Sequence, residues 1–121
     1  MSSQHGIATT PEPPYTAVIF TSVRTEVDHG YARASAAMDA LVRQQPGFLG
    51  VESAREGIGI TVSYWVDERA AQAWKQVAQH LLVQGAGRRR WYGEYQVRVA
   101  TVTRDYGFAR PTADAEENLD T

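Results

Sequence analysis

The chain is expected to fold as an α+β domain of ferredoxin-like βαββαβ type, an antiparallel sheet with two helices on one face. Three observations predict it. Runs of β-branched and aromatic residues alternate with two stretches of helical spacing, in the order strand, helix, strand, strand, helix, strand. That order matches the split βαβ arrangement. A length of 121 residues gives room for a single core and not for two.

The elements follow in turn. Tyr15 to Val23 reads as a first strand. Tyr31, Ala34, Ser35, Met38, Leu41 and Val42 recur at spacings of three and four, so a helix is expected over 28–45, capped by Asp28 and stopped by Pro46-Gly47. Phe48 to Arg55 and Gly59 to Val66 are two strands joined by a turn at Glu56-Gly57. Asp67 offers a side-chain oxygen to a second helix start, and Glu68 adds charge where the helix dipole favours it. Ala70, Ala71, Trp74, Val77, Ala78, Leu81 and Leu82 then form one stripe. The helix weakens at Gly85 and Gly87, and Tyr95 to Tyr106 is a last strand. Residues 1–14 and 109–121 carry little apolar content and are expected as disordered tails around a folded domain over 15–108.

Composition excludes several classes. A net charge of −2 gives no basic face for nucleic acid, and Arg88-Arg89-Arg90 is too short a run to supply one. There is no cysteine, hence no disulfide framework and no thiolate chemistry. The three histidines have no metal-ligand spacing, so no protein-bound catalytic metal is expected. No apolar run approaches membrane-spanning length and no leader is evident, so a cytoplasmic protein is the expectation. Apolar residues occupy both faces of the first strand (Val18 and Phe20, Ala17 and Ile19) and of the second (Leu49 and Val51, Phe48). An antiparallel sheet apolar on both sides needs a second cover. Two helices provide one, so a homodimer packed sheet to sheet is expected to provide the other.

The segment from Gly59 to Val99 holds all three tryptophans. QQPGFLGVESAR at 44–55, ITVSYWVDERAAQAWK at 60–75 and the connector plus last strand at 87–108, ending RDYGF, together resemble the antibiotic biosynthesis monooxygenase superfamily of dimeric α+β barrels. That resemblance implies a small-molecule substrate, O₂ as co-substrate and, in much of the superfamily, no cofactor. The haem-degrading branch uses a tryptophan and a histidine on the second helix and an asparagine on the first strand. Trp74 matches the tryptophan, His80 is nearer to it than that branch's histidine, and Phe20-Thr21-Ser22 stands where the asparagine would be. Haem binding or degradation is thus the alternative. Gln79-His80, Gly87-Arg88 and Trp91-Tyr92 resemble instead a group within the superfamily that includes a fungal enzyme hydroxylating jasmonate. A non-catalytic ligand-binding barrel is the third reading.

Cofactor-free oxygenation requires a dry cavity, a base or hydrogen-bond partner for a substrate anion, and aromatic walls. The resemblance implies His80 and Trp74 as catalytic residues, His80 as the candidate base or hydrogen-bond partner. At 100° per residue His80 lies about 240° round the helix from Trp74, on a different face. Trp65 and Tyr64 point to opposite sides of one strand, one toward the helices and one toward a partner. Glu52, an acidic residue in mid-strand, needs a partner or water and is a candidate for a wet pocket. Tyr92 is a fourth candidate for substrate binding, beside the arginine run. Arg24 and His29 stand where they could gate a pocket mouth.

Overall fold

The computed structural model describes residues 6–84 and 91–111, without the side chains of 81–84. Its elements are β1 (Tyr15–Arg24), α1 (Tyr31–Val42), β2 (Phe48–Arg55), β3 (Gly59–Trp65), α2 (Glu68–Gln84) and β4 (Tyr92–Val102). The strands form one antiparallel sheet in the order β2-β3-β1-β4. This is the ferredoxin-like arrangement expected from the order of elements.

Boundaries differ where local chemistry differs. α1 begins at Tyr31 behind Gly30, and Asp28 contributes its carbonyl to the Tyr31 N–H at 3.1 Å rather than a side-chain cap. The helix ends at Val42, ahead of Pro46. Gly47 then turns with φ +82, and its carbonyl accepts the Val66 N–H at 2.9 Å. A Cβ at Gly47 would stand 2.7 Å from Ala70 Cβ, so only glycine lets this connector lie against the start of α2. At α2 the expected cap is present: Asp67 Oδ1 accepts the Ala70 N–H at 2.9 Å. β4 starts and stops earlier than expected, at Tyr92 and Val102, because its pairing with β1 runs from Arg24 opposite Tyr92 to Tyr15 opposite Val102.

Register fixes which residues share a face. Val18 lies between Ser63 and Val99, Phe20 between Thr61 and Val97, and Ser22 between Gly59 and Tyr95. These residues, with Trp65, Val51, Ser53 and Arg55, form the inner face under the helices. The core is a compact knot at one end of that face. Val42 of α1, Ala71 of α2 and Trp65, which has no exposed surface, make it, with Val18, Phe48, Ala70 and Trp74 packed around.

The outer face carries Ala17, Ile19, Val62, Tyr64 and Glu52. The N-terminal segment covers part of it. Ala8 donates its N–H to Glu52 Oε2 at 2.9 Å, and its methyl leaves no room for a side chain at Gly50. The Thr10 hydroxyl donates to the Tyr15 hydroxyl at 3.0 Å, which in turn donates to Asp105. Within the stretch expected as a tail over 1–14, the described residues thus make bonds at Ala8 and Thr10, and the one at Ala8 gives the mid-strand carboxylate a donor it needs. Tyr106 and Phe108 lie beyond β4, 91% and 83% exposed. The expected tail beyond residue 111 and the arginines at 88–90 lie outside the described residues.

Candidate functional site

A cavity of about 450 Å³ lies between the inner face of the sheet and the two helices. Helical spacing supplies one wall: Tyr31, Ala34, Ser35, Met38 and Val42 from α1, and Ala71, Trp74, Lys75 and Ala78 from α2. The sheet supplies the other through Val18, Phe20, Ser63, Val97 and Val99. The volume is in the range of small-ligand pockets.

Aromatic rings close both ends. At the core end Trp65 is stacked on Trp74, with centroids 6.1 Å and planes 24° apart, and Phe48 meets Trp65 edge-on at 5.7 Å. At the opposite end Phe20, Tyr92 and Tyr95 pack mutually at 5.3 to 6.1 Å. Tyr31 stands edge-on to Trp91 and Tyr92. Trp91 is buried and donates its indole N–H to the His29 carbonyl at 3.0 Å. Arg24 secures this end: its Nε donates to the Trp91 carbonyl at 3.1 Å, and its guanidinium lies 3.3 Å from the Tyr31 ring centroid. Burial, then a hydrogen bond shared with the Tyr31 hydroxyl, pushes the Tyr92 phenol well above its ordinary range, opposed by the positive charges of Arg55 and Arg24. At neutral pH Tyr92 is a proton holder and a hydrogen-bond donor.

The structure divides the candidates named from sequence. Trp74 and Tyr92 both line the cavity. Trp65 is on the same side but beneath the surface, its indole N–H donating to Ser63 Oγ at 2.8 Å. Tyr64 and Glu52 are together on the opposite face, where the Tyr64 hydroxyl donates to Glu52 Oε1 at 2.8 Å. They do not line the cavity, since strand alternation puts them on the other side from Ser63 and Val51. His80 is exposed on α2 and is also absent from the lining, as its angular distance from Trp74 implies. His29 meets the cluster only through its carbonyl; its side chain is exposed. Phe20, Tyr31, Tyr95 and Arg55 also line the cavity, though nothing local in the sequence marks them as site residues. Parity would have found three of them: Phe20, Arg55 and Tyr95 share the pleat side of Trp65 once the register is known.

Among the described residues no group of three or more His, Asp or Glu is arranged to hold a metal ion. Among them, too, no helix is long and apolar enough to cross a membrane.

Residues 14–85 match the antibiotic biosynthesis monooxygenase family, and the chain belongs to that family. The uncharacterised protein YqjZ of Bacillus subtilis is 49% identical over 110 residues, spanning 89% of this chain and 96% of its own. SnoaB, a cofactor-independent oxygenase from Streptomyces nogalater, superposes with a TM-score of 0.57 at 16% identity over 81% of this chain and 100% of its own. A Nitrosomonas europaea protein of unknown function superposes with a TM-score of 0.63 at 12% identity, over 83% of this chain and 100% of its own. At such identities these structures share the fold.

Proposed function

We propose that this chain is a cofactor-independent monooxygenase that uses O₂ on a small planar aromatic or oxylipin-like substrate held between sheet and helices, and that it works in the cytoplasm as a homodimer. The observation that carries this reading is the cavity itself, about 450 Å³ and walled by aromatic rings at both ends. Family membership, and the shared fold of a cofactor-independent oxygenase, support it.

The chemistry asks little of the protein. An activated CH₂ beside a phenol or carbonyl loses a proton, and the resulting electron-rich anion passes an electron to O₂. Carbon–oxygen bond formation and loss of water then give a carbonyl, so CH₂ and O₂ become C=O and H₂O. The chain's part is to exclude water, hold the ring flat and stabilise the anion. Trp74 offers the flat wall. Tyr92, which keeps its proton and shares it with the Tyr31 hydroxyl, donates to the anionic oxygen once the substrate takes the place of that bond. His80 is given no part in this scheme, since it stands outside the cavity. The same fact weakens the haem alternative: among the described residues no histidine lines the cavity to reach an iron. Homodimerisation is supported by apolar surface left on the outer face at Val23 and Ile60, 40% and 44% exposed, and by Tyr106 and Phe108.

The test is oxygen uptake by chelator-treated protein with polyketide phenols, quinols and fatty-acid derivatives. Uptake with a planar phenol is expected. No uptake across the panel would overturn the reading.

A further inference from the structure

Arg55 ends β2 on the inner face, where it pairs with Gly59 of β3, whose neighbour on β1 is Ser22. Gly59 has no side chain, and the arginine uses that gap. A Cβ at Gly59 would overlap the guanidinium, so Arg55 lies flat across β3 and reaches the third strand. There it donates to the Ser22 carbonyl at 3.4 Å and to Ser22 Oγ. Ser22 is 2% exposed, so this anchor is fixed by packing.

The ion pairs among the described residues are Arg24–Asp28 and Arg43–Asp39. Within that set Arg55 has no carboxylate partner. A guanidinium has five N–H donors in a planar fork, and Ser22 occupies only part of them. Arg55 also lines the cavity, at the end formed by Phe20, Tyr92 and Tyr95, and its charge is felt at the Tyr92 phenol. Among the described residues Arg24 is a second cation at this end, and it is occupied by Asp28, the Val27 and Trp91 carbonyls and the Tyr31 ring. Arg55 is therefore a pre-positioned cation beside a nest of three aromatic rings, with donors to spare.

We propose that this end of the cavity is a carboxylate-recognition subsite, in which the Arg55 fork grips the acid group of a planar aromatic acid whose ring packs on Phe20, Tyr92 and Tyr95. The inference rests on the oxygenase reading for the rest of the cavity and adds the substrate class: aromatic acids over neutral arenes. Bidentate arginine–carboxylate pairing is short, strong and directional, and a lysine cannot reproduce it. Gly59 is then a specificity residue at one remove, since it lets the fork lie where it does.

Paired probes test it on the full chain by tryptophan fluorescence: 2-naphthoate and the neutral 2-naphthalenemethanol, which share one ring system. Wild type should bind naphthoate at least about ten-fold more tightly than the alcohol, and salt should weaken naphthoate selectively. Arg55→Gln should erase that preference while leaving the alcohol within about two-fold. Arg55→Lys should restore only part of it, and Gly59→Ala, which keeps the charge but displaces it, should behave like Arg55→Gln. Equal affinity of wild type for the two probes overturns the subsite and leaves the aromatic cavity standing. So does an Arg55→Gln protein, folded by circular dichroism, that keeps its naphthoate preference. Binding of neither probe overturns the subsite and the aromatic-substrate reading together.

Discussion

Trp65 and Trp74 are stacked at 6.1 Å, yet only one of them faces the cavity. Trp65 has no exposed surface and satisfies its indole N–H on Ser63. Trp74 covers it and turns its other side to the cavity. The pair is thus a core residue with a wall built on top of it.

Substitutions should separate the two. Trp65→Ala should cost about 3–5 kcal/mol, through lost burial plus a cavity that the surrounding sheet cannot close. Trp74→Phe keeps most of the packing and should cost about 1 kcal/mol, while reducing affinity for aromatic probes by about ten-fold through loss of flat contact area. Urea denaturation and probe titration on the same preparations check both. Equal effects of the two changes on binding would mean that Trp74 is not a wall.

The N-terminal segment gives a second outcome. From composition alone, removing residues 1–13 should leave stability nearly unchanged. The Ala8 N–H to Glu52 bond changes that expectation, because Glu52 would lose one of the two donors that offset its position in the sheet. Hydrogen bonds to charged groups are worth about 1.5–3 kcal/mol when buried. This one is only part-buried, so a loss of about 1 kcal/mol is expected on truncation, and a similar loss for Tyr64→Phe. Denaturation midpoints for the two variants measure it. An unchanged midpoint in both would show that water replaces these donors at no cost.

Alkaline pH supplies a third. Tyr64 is pushed upward by burial first and then by its hydrogen bond to Glu52, and Tyr92 by burial and Tyr31. In the unfolded chain each phenol loses its proton near pH 10. The folded chain holds these protons longer, so the unfolded state binds fewer protons as pH climbs past that value. Their contribution is complete below about pH 10 and declines as pH rises from there toward the folded values. Urea denaturation between about pH 9 and 11 should show this fall, less steep in Tyr64→Phe. An identical slope in wild type and variant would contradict the assignment.

Much of the fold was legible because its signals are local. The strand runs at Phe48–Arg55 and Gly59–Trp65, the Asp67 cap and the α2 stripe through Trp74 all rest on neighbours in sequence. The site was legible in part. Trp74 was readable because helical spacing alone turns it inward. His80 was singled out by resemblance, although the same spacing puts it on another face of α2. Tyr64 and Glu52 could not be assigned to a side of the sheet, since strand alternation gives two faces without saying which one the helices cover. Arg55 was the least readable. Its role depends on a register that places Gly59 beside it and Ser22 beyond, three strands brought together by long-range pairing.

Assembly is open to direct measurement. Val23 and Ile60 on the outer face, with Tyr106 and Phe108 beyond β4, leave apolar surface that a second copy of the chain would bury. Multi-angle light scattering at micromolar concentration should return twice the mass of the chain. A monomer mass would contradict the dimer and leave those side chains without the partner proposed for them.

Under the proposed function the cavity supports O₂ chemistry on a planar substrate without a bound cofactor. An oxygen electrode run with chelator-treated protein and an acidic anthrone-type or naphthol substrate tests it most directly. O₂ uptake is expected to be equimolar with the carbonyl product formed, unaffected by chelator, and reduced by about ten-fold in Trp74→Phe. No enzyme-dependent uptake from folded protein that demonstrably binds the substrate would contradict it.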